Sequence, residues 1–474
     1  MENSKTERRL WLILLIPIVL AALNLRYLWI QCFNPSDTSN PESMVVFFAE
    51  RVANGDALFL DYHKPPYILI QYAPLYHWML GQTARLFGFN RDGIFISGRI
   101  FVFGCALLIG LLLYLRGRSE EEAVPAAASG AVFFLSSYIL WPWAATNRPD
   151  VPGALLSLAG FILYTQFRKS WLRMLSVLLF VSAIFTKQFF ISAPLSIFIW
   201  LMIEKKRKEA FLLAGSCAFL VALIFFAMDQ STVGLSTMNL IDPNSATPFA
   251  WQNLRLVTLA FFQISPLPLM LAAAGVALKG WKRPETIYAA LSLCFAILSS
   301  SKLGSNVNYF IEPLAACCLL VPAGLRSMID IFRGPRSAFL IAAFVVLLIP
   351  SINFMAHTLV SLKFPSETAI RQQVTDAKGL IITDNPRFAL ISRQPFLLEP
   401  FPLSYMEKTG KWSSSGITEM LENHKIEMVV LTLPVENALS WQGFKRLPVP
   451  VLGAIEKYYR YDRTVDGYYV YLPQ

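Results

Sequence analysis

The sequence predicts an all-α polytopic membrane bundle with a small C-terminal α/β extracytoplasmic domain, and three observations predict it. The chain has 474 residues, of which 55% are apolar and only 15% charged, with a mean hydropathy of +0.49. Soluble globular chains run nearer about 45–50% apolar and about 25% charged. Apolar segments long enough to cross a hydrocarbon core of about 30 Å, at about 1.5 Å per residue, recur through the first three quarters of the chain. After about residue 357 the pattern changes to short strand-like runs alternating with helical ones.

Candidate spans lie at 11–30, 97–115, 124–142, 151–167, 172–187, 188–203, 210–228, 255–278, 286–303, 310–328 and 338–356, about eleven in all. The amino terminus joins a basic head (Lys5, Arg8, Arg9) to an apolar run. That run is too long for a cleavable signal and lacks a small-residue cleavage site, so it is read as an anchor with its terminus in the cytoplasm. The segment 67–88 is apolar but contains Pro74, His77, Gln82 and Arg85. Parity decides how it is read. If it does not span, the clusters Arg116/Arg118, Arg168/Lys169/Arg173, Lys205–Lys208, Lys279/Lys282/Arg283 and Arg326/Arg333/Arg336 all face the cytoplasm, as the positive-inside rule requires. If it spans, all of them face outward. The segment 229–253 carries no Lys or Arg and suits an outer loop on the same choice. A helix lying at the outer surface, or dipping partway in, is therefore expected over 67–88.

This topology gathers four loops on the outer face: 31–96, 143–150, 229–253 and the turn near 303–309. It also places the tail there. KGLIITD (378–384), EMVVLTL (427–433) and GYYVYLP (467–473) read as strands, and 364–377 and 416–425 as helices. The expected division is thus a transmembrane module over 1–356 and a soluble extracytoplasmic domain over 357–474. No internal repeat or low-complexity linker interrupts the pattern.

The net charge of +10 sits largely in the short basic clusters between spans, where topology explains it and nucleic-acid binding does not. Four histidines and six cysteines show no metal-ligand spacing. Cys105, Cys217, Cys294, Cys317 and Cys318 lie within apolar runs and are assigned to packing.

Chemistry is expected in the outer loops, above all in the polar, proline-rich stretch Asn34–Trp78. Asn40 can cap a helix that begins Pro41-Glu42 and stops at Asn54-Gly55, which puts Glu42 in the first turn. An acid there either complements the helix dipole or serves as a base. Asp37, in the preceding loop, is the second choice for the same catalytic role. Lys64 precedes two prolines that hold an extended path through Tyr67, so it either snorkels at the interface or grips a lipid phosphate as a point charge. In the second outer loop Arg148 and Asp150 flank Pro149 at the start of an apolar run. A second carboxylate suits base or orienting work, and a cation can offset charge on a departing phosphate.

The order of these features resembles the integral-membrane glycosyltransferases of the GT-C class, in the lipid-A aminoarabinose transferase and protein O-mannosyltransferase-like branch. The matching pieces are an acid followed by an A-x-R-x-x-x-G helix (Glu42, Ala49, Arg51, Gly55), the K-P-P-Y run from Lys64 to Tyr67, and an R-x-D loop (Arg148, Asp150). TKQ (186–188) and NYFIEP (308–313) are also similar to a bacterial subgroup. The resemblance spans roughly residues 10–330. It implies a polyprenyl-phosphate sugar donor presented at the outer leaflet of the plasma (inner) membrane, a lipid, glycan or protein acceptor, and an inverting displacement. It further implies Glu42 as base or acceptor orienter, Lys64 at the donor phosphate and Asp150 as the second acid. Tyr67, Arg148, Lys187, Tyr309 and Glu312 follow as substrate-binding candidates, the last three near the outer ends of spans. The family shows an adjacent Asp-Glu pair in the first loop, whereas here Pro41 precedes Glu42, so the acid that acts and a divalent cation (Mg or Mn) both stay open. A transporter or lipid flippase is the alternative class, and the chain lacks the matched broken spans that such proteins often carry.

Overall fold

A computed structural model describes residues 2–37, 39–120, 122–332, 346–350, 352, 353, 356, 367–392, 394–440 and 446–474. In chain order its first fifteen helices are α1 (Glu2–Cys32), α2 (Asn40–Asn54), α3 (Leu75–Phe87), α4 (Arg91–Ser119), α5 (Val124–Leu135), α6 (Asp150–Gln166), α7 (Ser170–Thr186), α8 (Ser192–Ile203), α9 (Arg207–Ser231), α10 (Leu235–Ala246), α11 (Trp251–Ile264), α12 (Pro266–Lys279), α13 (Pro284–Ser299), α14 (Ile311–Cys318) and α15 (Val321–Phe332). Shorter helices and four strands follow, β1 (Leu380–Thr383), β2 (Ile426–Leu431), β3 (Tyr459–Val465) and β4 (Tyr468–Pro473). The protein is therefore mostly helical with a small C-terminal sheet. Among the described residues, three helices are long and apolar enough to cross a membrane, and five spans result if each of two bent pairs counts as one. The bent pairs are α11 with α12, which turn by 81°, and the Val307–Cys318 segment with α15, which turn by 53°. Pro266 opens α12, so the break falls where the chain lacks an amide donor. The expectation of about eleven spans rests partly on shorter apolar helices such as α5, α7, α8 and α13. Its last member, 338–356, falls largely outside the described residues.

The chain divides into two compact units. The first comprises Met1–Asn34, Phe95–Ile224 and Ala250–Leu362. Its helices approach closely through small residues: a Cβ on Gly324 would strike the Leu271 carbonyl, and one on Gly275 the Leu320 carbonyl, so α12 and α15 pack backbone against backbone. Gly160 likewise makes room for the Phe180 ring between α6 and α7. Asn24 donates from its side chain to the Leu135 carbonyl at 2.7 Å, which satisfies a helix-end acceptor inside the bundle.

The second unit comprises Pro35–Ile94, Phe225–Phe249 and Lys363–Gln474. Its sheet has the order β1-β2-β4-β3, with β1 and β2 parallel and the other pairs antiparallel. The strand expected over 378–384 is β1, that over 427–433 is β2 and that over 467–473 is β4. The hairpin partner β3 joins β4 through Asp466 and Gly467, both at positive φ (50° and 85°), the backbone a tight twisted turn demands. The sequence reading omitted β3 because its YRYDRTV alternation exposes five of seven residues and offers little apolar periodicity.

The long polar stretch is built into this unit's core. Tyr62, Tyr67 and Leu69 pack with Ile382, Val429 and Leu431 of the sheet and with Leu403, Met406 and Ile455 from surrounding helices. Tyr67 adds backbone bonds, its N–H donating to Leu397 at 2.8 Å and its carbonyl accepting from Glu399 at 3.0 Å. Of the helix expected over 67–88, only Leu75–Phe87 is helical, as α3, and the run before it through Ile70 is extended. Its 13 residues reach about 20 Å, well short of a hydrocarbon core of about 30 Å. Helix α2 packs on α3 at Gly81, whose missing side chain lets the Ala49 carbonyl and Val52 come close.

Candidate active site

Asp150 is the centre of a buried charged cluster in the first unit. The preceding Pro149 ends the loop and Asp150 is the first residue of α6, where the helix dipole favours an acid. The carboxylate is 2% exposed and both its oxygens are engaged. Oδ1 accepts from Lys187 Nζ at 2.6 Å and from Asn308 Nδ2 at 2.6 Å, while Oδ2 accepts from Arg148 Nε at 2.9 Å. Lys187 reaches it because α7 stops at Thr186 and the next residue is extended (φ −157°, ψ 128°). Asn308 and Tyr309 stand on a 3₁₀ turn, Val307–Phe310, capped by the Asn306 side chain. Aromatic faces flank the two cations: Lys187 Nζ lies 3.9 Å from the Tyr309 ring centroid and the Arg148 guanidinium 4.9 Å from that of Trp143.

Two cations, Lys187 and Arg148, converge on the Asp150 carboxylate in this buried cluster. A pair of buried cations suits an anionic group such as a phosphate ester. A divalent cation beside Asp150 would face both of them. Among the described residues no group of three His, Cys, Asp or Glu side chains is arranged to hold a metal ion.

Glu312 lies one helical turn beyond Asn308, on α14, and is buried. Its Oε1 accepts from the Ser157 hydroxyl and from the Tyr288 hydroxyl, the latter at 3.0 Å. Ser157 is itself two turns beyond Asp150 on α6. Phe161 stacks on Tyr288 with centroids 4.6 Å apart and closes the cluster with apolar surface. Glu312 thus joins three helices of the bundle, α6, α13 and α14.

The other sequence candidates lie in the second unit. The N-cap of α2 is Ser39, one residue before the Asn40 expected from sequence, and the helix closes at Gly55 with φ 82°. Glu42 is fully buried in its first turn. Asp37 accepts from the Ser43 hydroxyl at 2.5 Å and lies 3.9 Å from the Arg387 guanidinium, so it is fastened beside that same first turn. Lys64 is 79% exposed and pairs with Asp61 at 3.3 Å. Tyr67 is buried with its ring 5.7 Å from Trp412, in the packed core.

The structure brings Asp150, Arg148, Lys187 and Tyr309 into one cluster and sets Asp37 beside the turn that carries Glu42. Asn308 and Trp143 were missed as site residues in the sequence reading. Asn308 opens the NYFIEP run singled out there, and an amide in an apolar run next to a 3₁₀-prone turn was the signal available.

Residues 71–230, about a third of the chain, match the family model described as dolichyl-phosphate-mannose-protein mannosyltransferase. No curated protein matches. The structure is similar to that of ArnT from Cupriavidus metallidurans bound to undecaprenyl phosphate, with a TM-score of 0.63 at 14% identity over 96% of this chain and 97% of that one. It is also similar to the Archaeoglobus fulgidus oligosaccharyltransferase tethered with an acceptor peptide, with a TM-score of 0.58 at 10% identity over 98% of this chain and 74% of that one. The archaeal oligosaccharyltransferase AglB from Archaeoglobus fulgidus, in complex with an inhibitory peptide and a dolichol-phosphate, gives a TM-score of 0.53 at 11% identity over 98% of this chain and 74% of that one. The chain therefore has the fold of these proteins.

Proposed function

We propose that the protein is an integral-membrane glycosyltransferase that moves a sugar from a polyprenyl-phosphate carrier to a lipid, glycan or protein acceptor. The observation that carries this reading is the Asp150 cluster: a buried carboxylate on which two cations converge, Lys187 Nζ at 2.6 Å and Arg148 Nε at 2.9 Å. Such a centre is matched to a phosphate that gains negative charge as it leaves, and fixed charges in a water-poor setting stabilise it strongly. The shared fold supports the reading, because two proteins with that fold, ArnT and AglB, are bound to undecaprenyl phosphate and to a dolichol-phosphate.

In the proposed reaction the acceptor hydroxyl or amine attacks the anomeric carbon. Its proton passes to the Glu42 carboxylate, with Asp37 as the alternative acid, and the new bond takes the acceptor's electron pair. The bond from the anomeric carbon to the phosphate oxygen breaks, and its electron pair leaves with the polyprenyl phosphate. A single displacement inverts the anomeric configuration. Lys187, Arg148 and the exposed Lys64 are assigned to phosphate charge, Asp150 to orienting the two buried cations, and Tyr309 to the face of Lys187. The amino terminus is assigned to the cytoplasm and the sheet-bearing tail to the opposite side of the plasma (inner) membrane, from the distribution of Lys and Arg.

The test is turnover in detergent, where no compartments exist. Purified protein, a labelled polyprenyl-phosphate sugar and a membrane extract of acceptors should give a labelled product of inverted anomeric configuration and free polyprenyl phosphate. A transporter or flippase would leave the donor intact in that assay, and retained configuration would contradict the single displacement.

A further inference from the structure

The first unit also contains an open cup of about 870 Å³, lined by charged side chains and by Trp200 and Trp281. Arg116 in the last turn of α4, Thr165 near the end of α6, Trp200 of α8 and Lys279 of α12 meet there beside Glu285 in the first turn of α13. Asp150 opens α6 and Thr165 lies near its other end, about 22 Å away at about 1.5 Å per residue, so the cup is remote from the Asp150 cluster.

Its floor is satisfied from within. Arg116 pairs with Glu285 and, at 2.9 Å, with Glu120, which also holds Lys279. Glu122 pairs with Arg326 at 3.5 Å. Arg116 and Lys279 further complement the C-terminal ends of α4 and α12, so the fold accounts for both.

The rim is different. Lys282 and Arg283 line it, are exposed, and pair with no acid among the described residues. Neither serves α13, because Arg283 is its N-cap and a cation is unfavourable at a helix N-terminus. Lys282 Nζ lies 5.3 Å from the Trp281 ring centroid, and Lys206 Nζ, likewise without an acid, lies 5.6 Å from that of Trp200. Beside these three cations Glu204 is the lining acid that makes no ion pair among the described residues. Trp281 is 65% exposed, and Trp171, on the helix that follows α6, is 60% exposed at the same end of the bundle. Indoles level with lysine and arginine are the pattern of the bilayer headgroup region. A phosphate ligand free in water would leave the Trp281 ring without apolar cover.

We propose that this cup binds the headgroup of an anionic phospholipid. The phosphodiester accepts from Lys282 and Arg283, the glycerol and first methylenes lie on Trp281, and Lys206 adds attraction at longer range. A zwitterionic headgroup would bring its ammonium among three cations with Glu204 to receive it. The positive-inside distribution assigns the cup to the cytoplasmic leaflet. The inference rests on the chain lying in a membrane and is independent of the reaction proposed above.

Native mass spectrometry of the full-length protein, delipidated in detergent and titrated with phosphatidylglycerol, phosphatidylethanolamine or phosphatidylcholine, measures the binding. Phosphatidylglycerol should bind about tenfold tighter than either zwitterionic lipid. Lys282→Gln combined with Arg283→Gln should weaken it about tenfold or more, whereas Arg168→Gln combined with Lys169→Gln, an exposed basic pair outside the cup, should leave it unchanged. Glu204→Gln removes the unpaired acid and should tighten binding a few-fold. Unfolding temperatures close to that of the wild type establish that each variant is folded. Equal affinity for the three lipids, binding unchanged in the Lys282/Arg283 variant, or equal loss in the Arg168/Lys169 variant overturns the inference. Weaker binding in folded Glu204→Gln overturns it as well. Inorganic phosphate that competes as strongly as the lipid overturns the assignment to a headgroup. Sugar transfer is read in its own assay, so its presence or absence neither supports nor removes this site.

Discussion

Lys187 Nζ lies 2.6 Å from Asp150 Oδ1, with both side chains almost wholly buried, so the end of α7 is tied to the start of α6 by an ion pair that water does not reach. Breaking such a pair from one side leaves a buried charge without its counterion, which costs about 3–5 kcal/mol. Asp150→Ala should therefore lower the thermal unfolding temperature markedly in detergent. Adding Lys187→Met to it should recover part of the loss, because the second change removes one of the two cations that Asp150 faces. A double variant no more stable than Asp150→Ala would contradict this account of the pair.

Backbone contact between α12 and α15 depends on a side chain that is not there. Gly324→Ala puts a methyl into the Leu271 carbonyl, and neither backbone can yield without parting the helices. The variant should lose about 1–3 kcal/mol or fail to accumulate in membranes, as overpacked cores do. Gly104, where a methyl would meet no atom, serves as the control, and Gly104→Ala should leave the yield unchanged.

Much of this was legible in the residues. Periodicity and length pointed to a mostly helical body, and parity of the basic clusters favoured a helix that does not span over 67–88, where α3 covers Leu75–Phe87. The Asn54-Gly55 and Asp466-Gly467 pairs carry the local signals for a helix stop and a hairpin turn. The partnership of the polar stretch with the tail was not legible, because Tyr67 meets Leu397 across more than 300 positions and no local pattern encodes that register. The same is true of Asn308 at Asp150: both lie in runs that were singled out, yet only the fold brings them to 2.6 Å.

The Glu399 carboxyl gives the second unit a pH dependence. Burial raises it from 4.5 to about 8, so across that interval the folded protein holds a proton that the unfolded chain has released. Its contribution to stability is fully present below about 4.5 and is lost as pH rises toward about 8. His77, held down to about 4 from 6.5, acts in the opposite direction, with stability rising between those values. Between pH 6.5 and 8 only the Glu399 effect remains of the two. The unfolding temperature of the wild type should fall across that window, and that of Glu399→Gln should stay flatter.

Lys64 and the two first-loop acids separate binding from chemistry. Lys64 is exposed, so Lys64→Met should leave stability within about 0.5 kcal/mol and raise the KM for the lipid donor about tenfold. Glu42→Gln should lower kcat by about 10²–10⁴ with KM nearly unchanged. Asp37→Asn, whose carboxylate holds Ser43 and lies near Arg387, should lower the unfolding temperature more than the rate. A rate loss confined to Asp37→Asn would transfer the base role to that residue.

Transfer of label from a polyprenyl-phosphate sugar to acceptor in detergent, compared among the wild type, Glu42→Gln and Asp150→Asn, tests the central claim most directly. The account predicts multiple turnovers by the wild type and a loss of about 10²-fold or more in each variant, with polyprenyl phosphate released in step with the label. A wild-type protein that binds the carrier but leaves its sugar in place, or full turnover in both variants, would contradict it.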